Sequence, residues 1–325
     1  GLAGDALTDA DYNTAVGYGA LTNDTLGSQS TAVGYLALAA QNYTTATDSF
    51  NVAVGMYAGT SVTTGTLNTL IGGLAGDAIT TGIRNTAVGY HALSTEDAHG
   101  LNTAVGYAAL RDLNAGTDAY NTAVGYNAGA SVTTGVKNTL VGGLAGDGLT
   151  DADNNVAVGY AALTTDTKGS NNVAVGYGAL TVQNFTTSTN SYNTAIGHGN
   201  GASITTGVKN TLVGGLVGDG LIDADYNTAI GYYTLSADTY GSKSTALGYY
   251  ALGVQNFTTA TDTHNTAIGY SAGQALTTGL QNTIVGSQAG EFLTTGSQNV
   301  FVGLSAGKGI TGTKLTGSNN VAVGE

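Results

Sequence analysis

The chain has 325 residues, among them 52 glycines, no proline and no cysteine, and a formal net charge of −13 at pH 7. Without cysteine there is neither a disulfide framework nor a thiolate metal site, and the acidic balance excludes the basic surface that nucleic acids require and the positive face that anionic membranes attract. No apolar run reaches the length of a transmembrane helix, so no membrane insertion is expected, and glycine without a G-X-Y period excludes collagen.

In chain order, the elements are copies of one phrase, N-T-A-V-G-Y with variants. It begins at Asn13, Ser30, Asn51, Asn68, Asn85, Asn102, Asn121, Asn138, Asn155, Asn172, Asn193, Asn210, Asn227, Ser244, Asn265, Asn282, Asn299 and Asn320. Of the seventeen intervals, twelve are 17 residues, four are 21 and one is 19. A unit this short cannot bury a core alone and must stack on its neighbours. The expected fold is therefore all-β: a β-solenoid of about 18 coils of 17–21 residues, running as one continuous domain over 1–325. At the ordinary spacing between strands, eighteen coils would extend roughly 85 Å.

The first coil sets the pattern. Thr14-Ala15-Val16 reads as a short strand. Thr14 and Val16 are expected to face the coil interior, because their positions hold only Thr, Val, Ile or Leu. Ala15 would then face outward, together with Leu70, Leu140, Leu212, Ile284 and Phe301. Both faces are apolar, so both should be covered, the outer one by sister chains. Asn13 and its equivalents are expected either to stack as a ladder of side-chain amides or to serve as turn formers. Gly17 and its equivalents mark corners with positive φ.

Eight residues past each phrase start, the residue alternates in pairs: Leu21 and Leu38, then Gly59 and Gly76, then Leu93 and Leu110, and onward. Where it is glycine, an apolar residue follows three places later, as at Val62 and Ile79. Coils thus come in quartets, at about 13–84, 85–154, 155–226 and 227–298, with a divergent end at 299–325. The N-terminal Gly1–Asp5 matches the interior Gly143–Asp147, and Asn320–Gly324 is an ordinary repeat strand, so both ends read as open to head-to-tail filament growth.

The string N-T-A-V-G-Y-x-A-L resembles the head repeats of trimeric autotransporter adhesins. It resembles even more the N-T-A-x-G-Y-x-A-L arrays of bacteriophage tail fibres. The match spans Asn13 through Gly324, with Thr14, Ala15, Val16 and Gly17 on the family strand V-A-I-G. The resemblance implies a left-handed β-roll, a homotrimer and an extracellular place on a cell or virion surface. The repeats here are longer than the usual family head repeats, and no coiled-coil stalk, anchor or chaperone segment accompanies them.

Two sets of residues are candidates for chemistry. The insertions that follow the second coil of a quartet carry Asn42-Tyr43, Asn184-Phe185 and Asn256-Phe257. Outward loops of this kind would stack an aromatic ring on a glycan, whereas rings folded back would cap the coil. The second set is acidic: Asp9 and Asp11, Asp151 and Asp153, Asp223 and Asp225, with Asp147 and Asp219 just before the latter two pairs. Oxygen ligands at alternate positions suit Ca²⁺. The missing EF-hand glycine and distal glutamate favour the same aspartates as turn formers, and no cofactor is required. The four histidines share no coil position, G-G-L-A-G-D lacks the lysine of a phosphate-binding loop, and no Ser-His-Asp constellation is present. The sequence therefore reads as a non-enzymatic structural protein, an extracellular fibre, filament or adhesin shaft whose partner is itself. The alternatives are a glycan-binding tail-fibre module and, third, an ice-binding solenoid built on recurrent threonine.

Overall fold

The computed structural model describes residues 1–310 and 313–324. It is an all-β parallel β-solenoid whose coil strands follow the sequence phrase, and no described residue is helical. The chain divides into two compact units, Gly1–Tyr160 and Ala161–Glu325. Each unit contributes nine phrase strands, from Thr14–Val16 to Val156–Val158 in the first and from Val173–Val175 to Val321–Val323 in the second.

Within a unit the strands pair in parallel and in strict register, Thr on Thr, Ala on Ala and Val on Val, as in Thr86–Val88 against Thr103–Val105. Most are three residues long; the rest of each 17-residue coil is turns. The long coils add two-residue strands such as Gly27–Ser28 against Thr47–Asp48.

The alternation along the strand is the reverse of the sequence expectation. Ala123 is 0% exposed and faces the core, whereas Val124 is 37% exposed and faces out with Thr122. The same holds for Ala32, Ala53, Ala87, Ala104, Ala174, Ala195, Ala229, Ala246 and Ala267. The interior is too narrow for a second β-branched row, so the small residue goes in. Thr and Val occupy the outer positions because β-branched side chains suit a pleated surface whether or not it is covered.

Core filling follows the Leu/Gly alternation. In leucine coils Leu21, Leu38, Leu93, Leu110, Leu163, Leu180, Leu235 and Leu252 are fully buried. In glycine coils Val62, Ile79, Val132, Leu149, Ile204, Leu221 and Leu276 are fully buried instead. Leu70, Leu140, Leu212 and Ile284 also lie inside, on the alanine row. They fit because the adjacent positions are glycine.

Two backbone features hold the coils close. A Cβ placed on Gly106 would run into the carbonyl oxygen of Gly125 in the next coil, and Gly55, Gly72 and Gly89 meet their neighbours in the same way. The residue before each phrase is also left-handed, yet here it is never glycine: Arg84 (φ 56°), Tyr120 (φ 54°), Lys137 (φ 59°) and Lys209 (φ 58°) are examples.

The phrase-start asparagines from Asn51 to Asn299 are buried and form a ladder. Asn68 Oδ1 accepts from the backbone N–H of Asn85 at 2.9 Å, and Asn68 Nδ2 donates to Gly82 O at 2.9 Å. The pattern recurs at Asn121, Asn138, Asn193, Asn210 and Asn282. Side-chain amides thus replace part of the backbone hydrogen bonding where the chain turns into the strand.

Candidate functional site: the outer sheet face

Three outward rows run along each unit. The first is Thr or Val (Thr103, Thr122), the second Val, Ile or Leu (Val105, Val124), and the third mostly Tyr (Tyr107, Tyr126). Among the described residues, no Asp, Glu, Lys or Arg stands in any of them. The tyrosine at the end of each phrase follows a glycine of φ near 130–147°, which turns the chain and leaves the ring on the surface.

The tyrosines stack along the coils. Centroids are 5.6 Å apart for Tyr18–Tyr35, 5.7 Å for Tyr90–Tyr107 and 5.4 Å for Tyr107–Tyr126, with planes within 24° of parallel. In the second unit, Tyr177–His198, Tyr232–Tyr249 and Tyr249–Tyr270 stack at 5.3, 6.0 and 5.3 Å. Such offset stacks suit aromatic quadrupoles. The rings spend their faces on one another and present edges and hydroxyls to solvent. The fourth coil of each quartet breaks the row at Gly73, Gly143, Gly215 or Ser287. A Cβ on Gly73 would stand 3.3 Å from Tyr90 Cδ2, so the next ring lies over the glycine.

Among the residues singled out from the sequence, the loop aromatics are turned inward. Tyr43, Phe185 and Phe257 are 4%, 6% and 7% exposed and close the side of their coils. Tyr43 Oη donates to Gly65 O at 2.7 Å, and burial, helped by the nearby Asp24, pushes its pKa up to about 12. Asn42, Asn184 and Asn256 lie nearer the surface, where each Oδ1 accepts from a threonine of the preceding coil, Thr25, Thr167 or Thr239, at 3.0 Å. None of the three rings offers a face on which a sugar would stack.

These insertions instead carry a glutamine into the core. Gln41 Nε2 donates to Asp24 Oδ2 at 2.6 Å and to Ser30 Oγ at 2.8 Å, and its Oε1 accepts from Asn51 Nδ2 at 2.9 Å. Gln41 thereby bridges the step where Ser30 interrupts the asparagine ladder. Gln255 does the same between Ser244 and Asn265, with Asp238 as its acceptor. Gln183 links Asp166 to Asn193. This network escaped the sequence reading, although its signal is there: every 21-residue interval inside a quartet has Asp three places after the first leucine and Gln three places after the second.

The acidic candidates do not converge. Asp153 Oδ1 and Asp225 Oδ1 accept from the backbone N–H of Val136 and Val208, each at 2.8 Å, and Asp223 Oδ1 accepts from Thr206 Oγ1 at 2.9 Å. Thr150 Oγ1 reaches Asp151 at 3.4 Å. Asp9 and Asp11 are exposed, and Asp147 and Asp219 are partly buried in separate turns. Burial raises the pKa of Asp219, whose Oδ1 has no hydrogen-bond partner. Among the described residues, the acidic or imidazole side chains that bring three ligand atoms within 4.8 Å of one another are Glu96, Asp97 and His99, and none of the eight aspartates belongs to that group.

The outward pair on each strand is Thr or Val followed by Val, Ile or Leu, never the T-x-T of a regular ice-binding ladder. No helix among the described residues is long and apolar enough to cross a membrane. Comparison with protein-family models, with curated proteins and with solved structures finds no match.

Proposed function

We propose that this chain is a non-enzymatic structural subunit of an extracellular fibre, filament or adhesin shaft, and that it assembles with copies of itself through the outer sheet face. The observation that carries this reading is the uncharged Thr/Val, Val/Ile and Tyr stripe. It runs nine coils in each unit and is left uncovered. At ordinary strand and residue spacings the stripe measures roughly 600 Å² per unit. That is at the upper limit of what monomeric surfaces usually expose and near the area one partner contributes to a stable interface of about 800 Å². Copies packed side by side, as in a homotrimer, would cover it, whereas head-to-tail joining would lengthen the stripe by pairing the strand edges at the ends.

Rigidity supports the same reading. In-register parallel pairing, buried asparagines and glycine contacts repeat from coil to coil, so each coil adds length without adding a new fold. Electron microscopy of the full chain tests the proposal. Bundles or filaments of several copies are expected, and a field of dispersed single chains would overturn it.

A second reading, recognition of cell-surface glycans, draws on the edges and hydroxyls of the tyrosine rows rather than on the insertions, because Tyr107, Tyr126 and Tyr177 are 50–59% exposed. A glycan array separates the two. Specific binding that is lost in Tyr107→Ala with Tyr126→Ala would favour the glycan reading.

A further inference from the structure

The second quartet departs from the others at several positions of one corner. Where the first, third and fourth quartets place Asp24, Asp166 and Asp238, it has Glu96. Where they place Thr25, Thr167 and Thr239, it has Asp97, and where they place Gly27, Gly169 and Gly241, it has His99. The glutamine that satisfies the aspartate elsewhere, at 2.6 Å, is replaced by Leu113, which has no hydrogen to donate.

The consequence is a buried carboxylate that is only partly satisfied. Glu96 is 0% exposed. Its Oε1 accepts from the backbone N–H of His99 at 3.3 Å and lies 3.6 Å from His99 Nδ1. The backbone N–H of Ala115 also turns toward this carboxylate, but no hydrogen bond to Oε2 is completed, and His99 Nδ1 has no hydrogen-bond partner. Leaving such groups unpaired is expensive in a packed interior. The Asp97 carboxylate completes a set of three ligand atoms within 4.8 Å of one another. Asp97 is exposed and the His99 side chain is 31% exposed, so the corner opens to solvent on one side.

We propose that Glu96, Asp97 and His99 form a binding site for a divalent transition-metal ion, of which Zn²⁺ is the best fit. Two carboxylate oxygens and one imidazole nitrogen are borderline ligands that suit Zn²⁺ and its neighbours. Ca²⁺ takes six to eight oxygens and has no use for the imidazole. Three protein ligands leave a coordination position for water or for a ligand from another chain. The ion would occupy the space where the sibling corners place a glutamine amide, and it would satisfy the orphaned Oε2 and Nδ1 together.

Titration of Zn²⁺ into the chelator-treated full chain, followed by calorimetry and by thermal melting, tests the site. One saturable Zn²⁺ per chain is expected, with a rise in melting temperature, and Ca²⁺ should produce neither. His99→Ala should abolish saturable binding. A second variant guards against a simple folding failure: Glu96→Asp with His99→Gly and Leu113→Gln rebuilds the sibling corner, including the glycine whose missing Cβ leaves room for the aspartate, so it should fold as stably as the wild type and bind no Zn²⁺. Absence of saturable binding in the wild type would overturn the proposal, as would Zn²⁺ binding that survives in either variant or a response to Ca²⁺ equal to that to Zn²⁺.

Discussion

Gly59 makes the room that Leu70 fills. A Cβ built on Gly59 would stand 2.6 Å from Leu70 Cδ1, and one built on Gly76 would stand 2.7 Å from Leu70 Cδ2. A large residue on the alanine row is thus flanked by glycine on the facing turns. Leu140 sits between Gly129 and Gly146 in the same manner. Gly59→Ala should destabilise the protein, and Leu70→Ala should cost about 2–5 kcal/mol as a cavity mutation. The double variant should be less damaged than the sum of the two, with a coupling of about 0.5–3 kcal/mol in a denaturant-based double-mutant cycle.

The asparagine ladder predicts a second loss. In Asn68→Ala the backbone N–H of Asn85 and the carbonyl of Gly82 lose their partners inside the protein. Each orphaned group is expected to cost about 1–3 kcal/mol. Asn68→Ser should be milder, since serine already stands at Ser30 and Ser244 in the same row. Chemical denaturation of both variants checks the order.

Coil number, register boundaries and the Leu/Gly compensation were legible in the sequence because they are periodic. The direction in which the strand faces was not. Ala123 and Val124 are both apolar, and hydrophobic pattern alone cannot tell a narrow interior lined by alanine from an outer face of bare valine. The insertions misled for a related reason. Tyr43 with its flanking amides reads as a binding loop, but Gln41, two residues earlier, has buried partners from other coils, Asp24 and Asn51, and draws the segment inward. The Glu96 corner was visible only as departures from the quartet pattern at Glu96, Asp97, His99 and Leu113.

The left-handed positions offer a stabilising change. Lys137 is exposed and holds φ 59°, a conformation that costs a non-glycine L-residue about 1–2 kcal/mol but that asparagine tolerates. Asn154, Asn171 and Asn319 occupy equivalent positions in other coils. Lys137→Asn should therefore stabilise the protein by up to about 1 kcal/mol, read as a higher denaturation midpoint.

Asp219 predicts a pH dependence. Burial raises its carboxyl pKa in the folded state, so between the unfolded and folded values the native chain holds more protons than the unfolded chain. Its contribution to stability therefore falls as pH rises through that window, and the penalty is fully present above it. Asp219→Asn should raise the melting temperature at neutral pH, and the advantage should vanish in acid below the unfolded carboxylate range. Melting curves of variant and wild type across pH show whether the difference follows that course.

Self-association through the outer sheet face is tested most directly by sedimentation velocity of the wild type beside Val105→Lys with Val124→Lys. Both valines point outward on neighbouring strands, so the lysines should leave the fold intact, as circular dichroism would verify, while placing charge in the uncharged stripe. The account predicts that the wild type sediments as an oligomer and the double variant as a 32.1 kDa monomer. A wild type that is monomeric at every concentration, or an oligomer that the two lysines leave undisturbed, would contradict it.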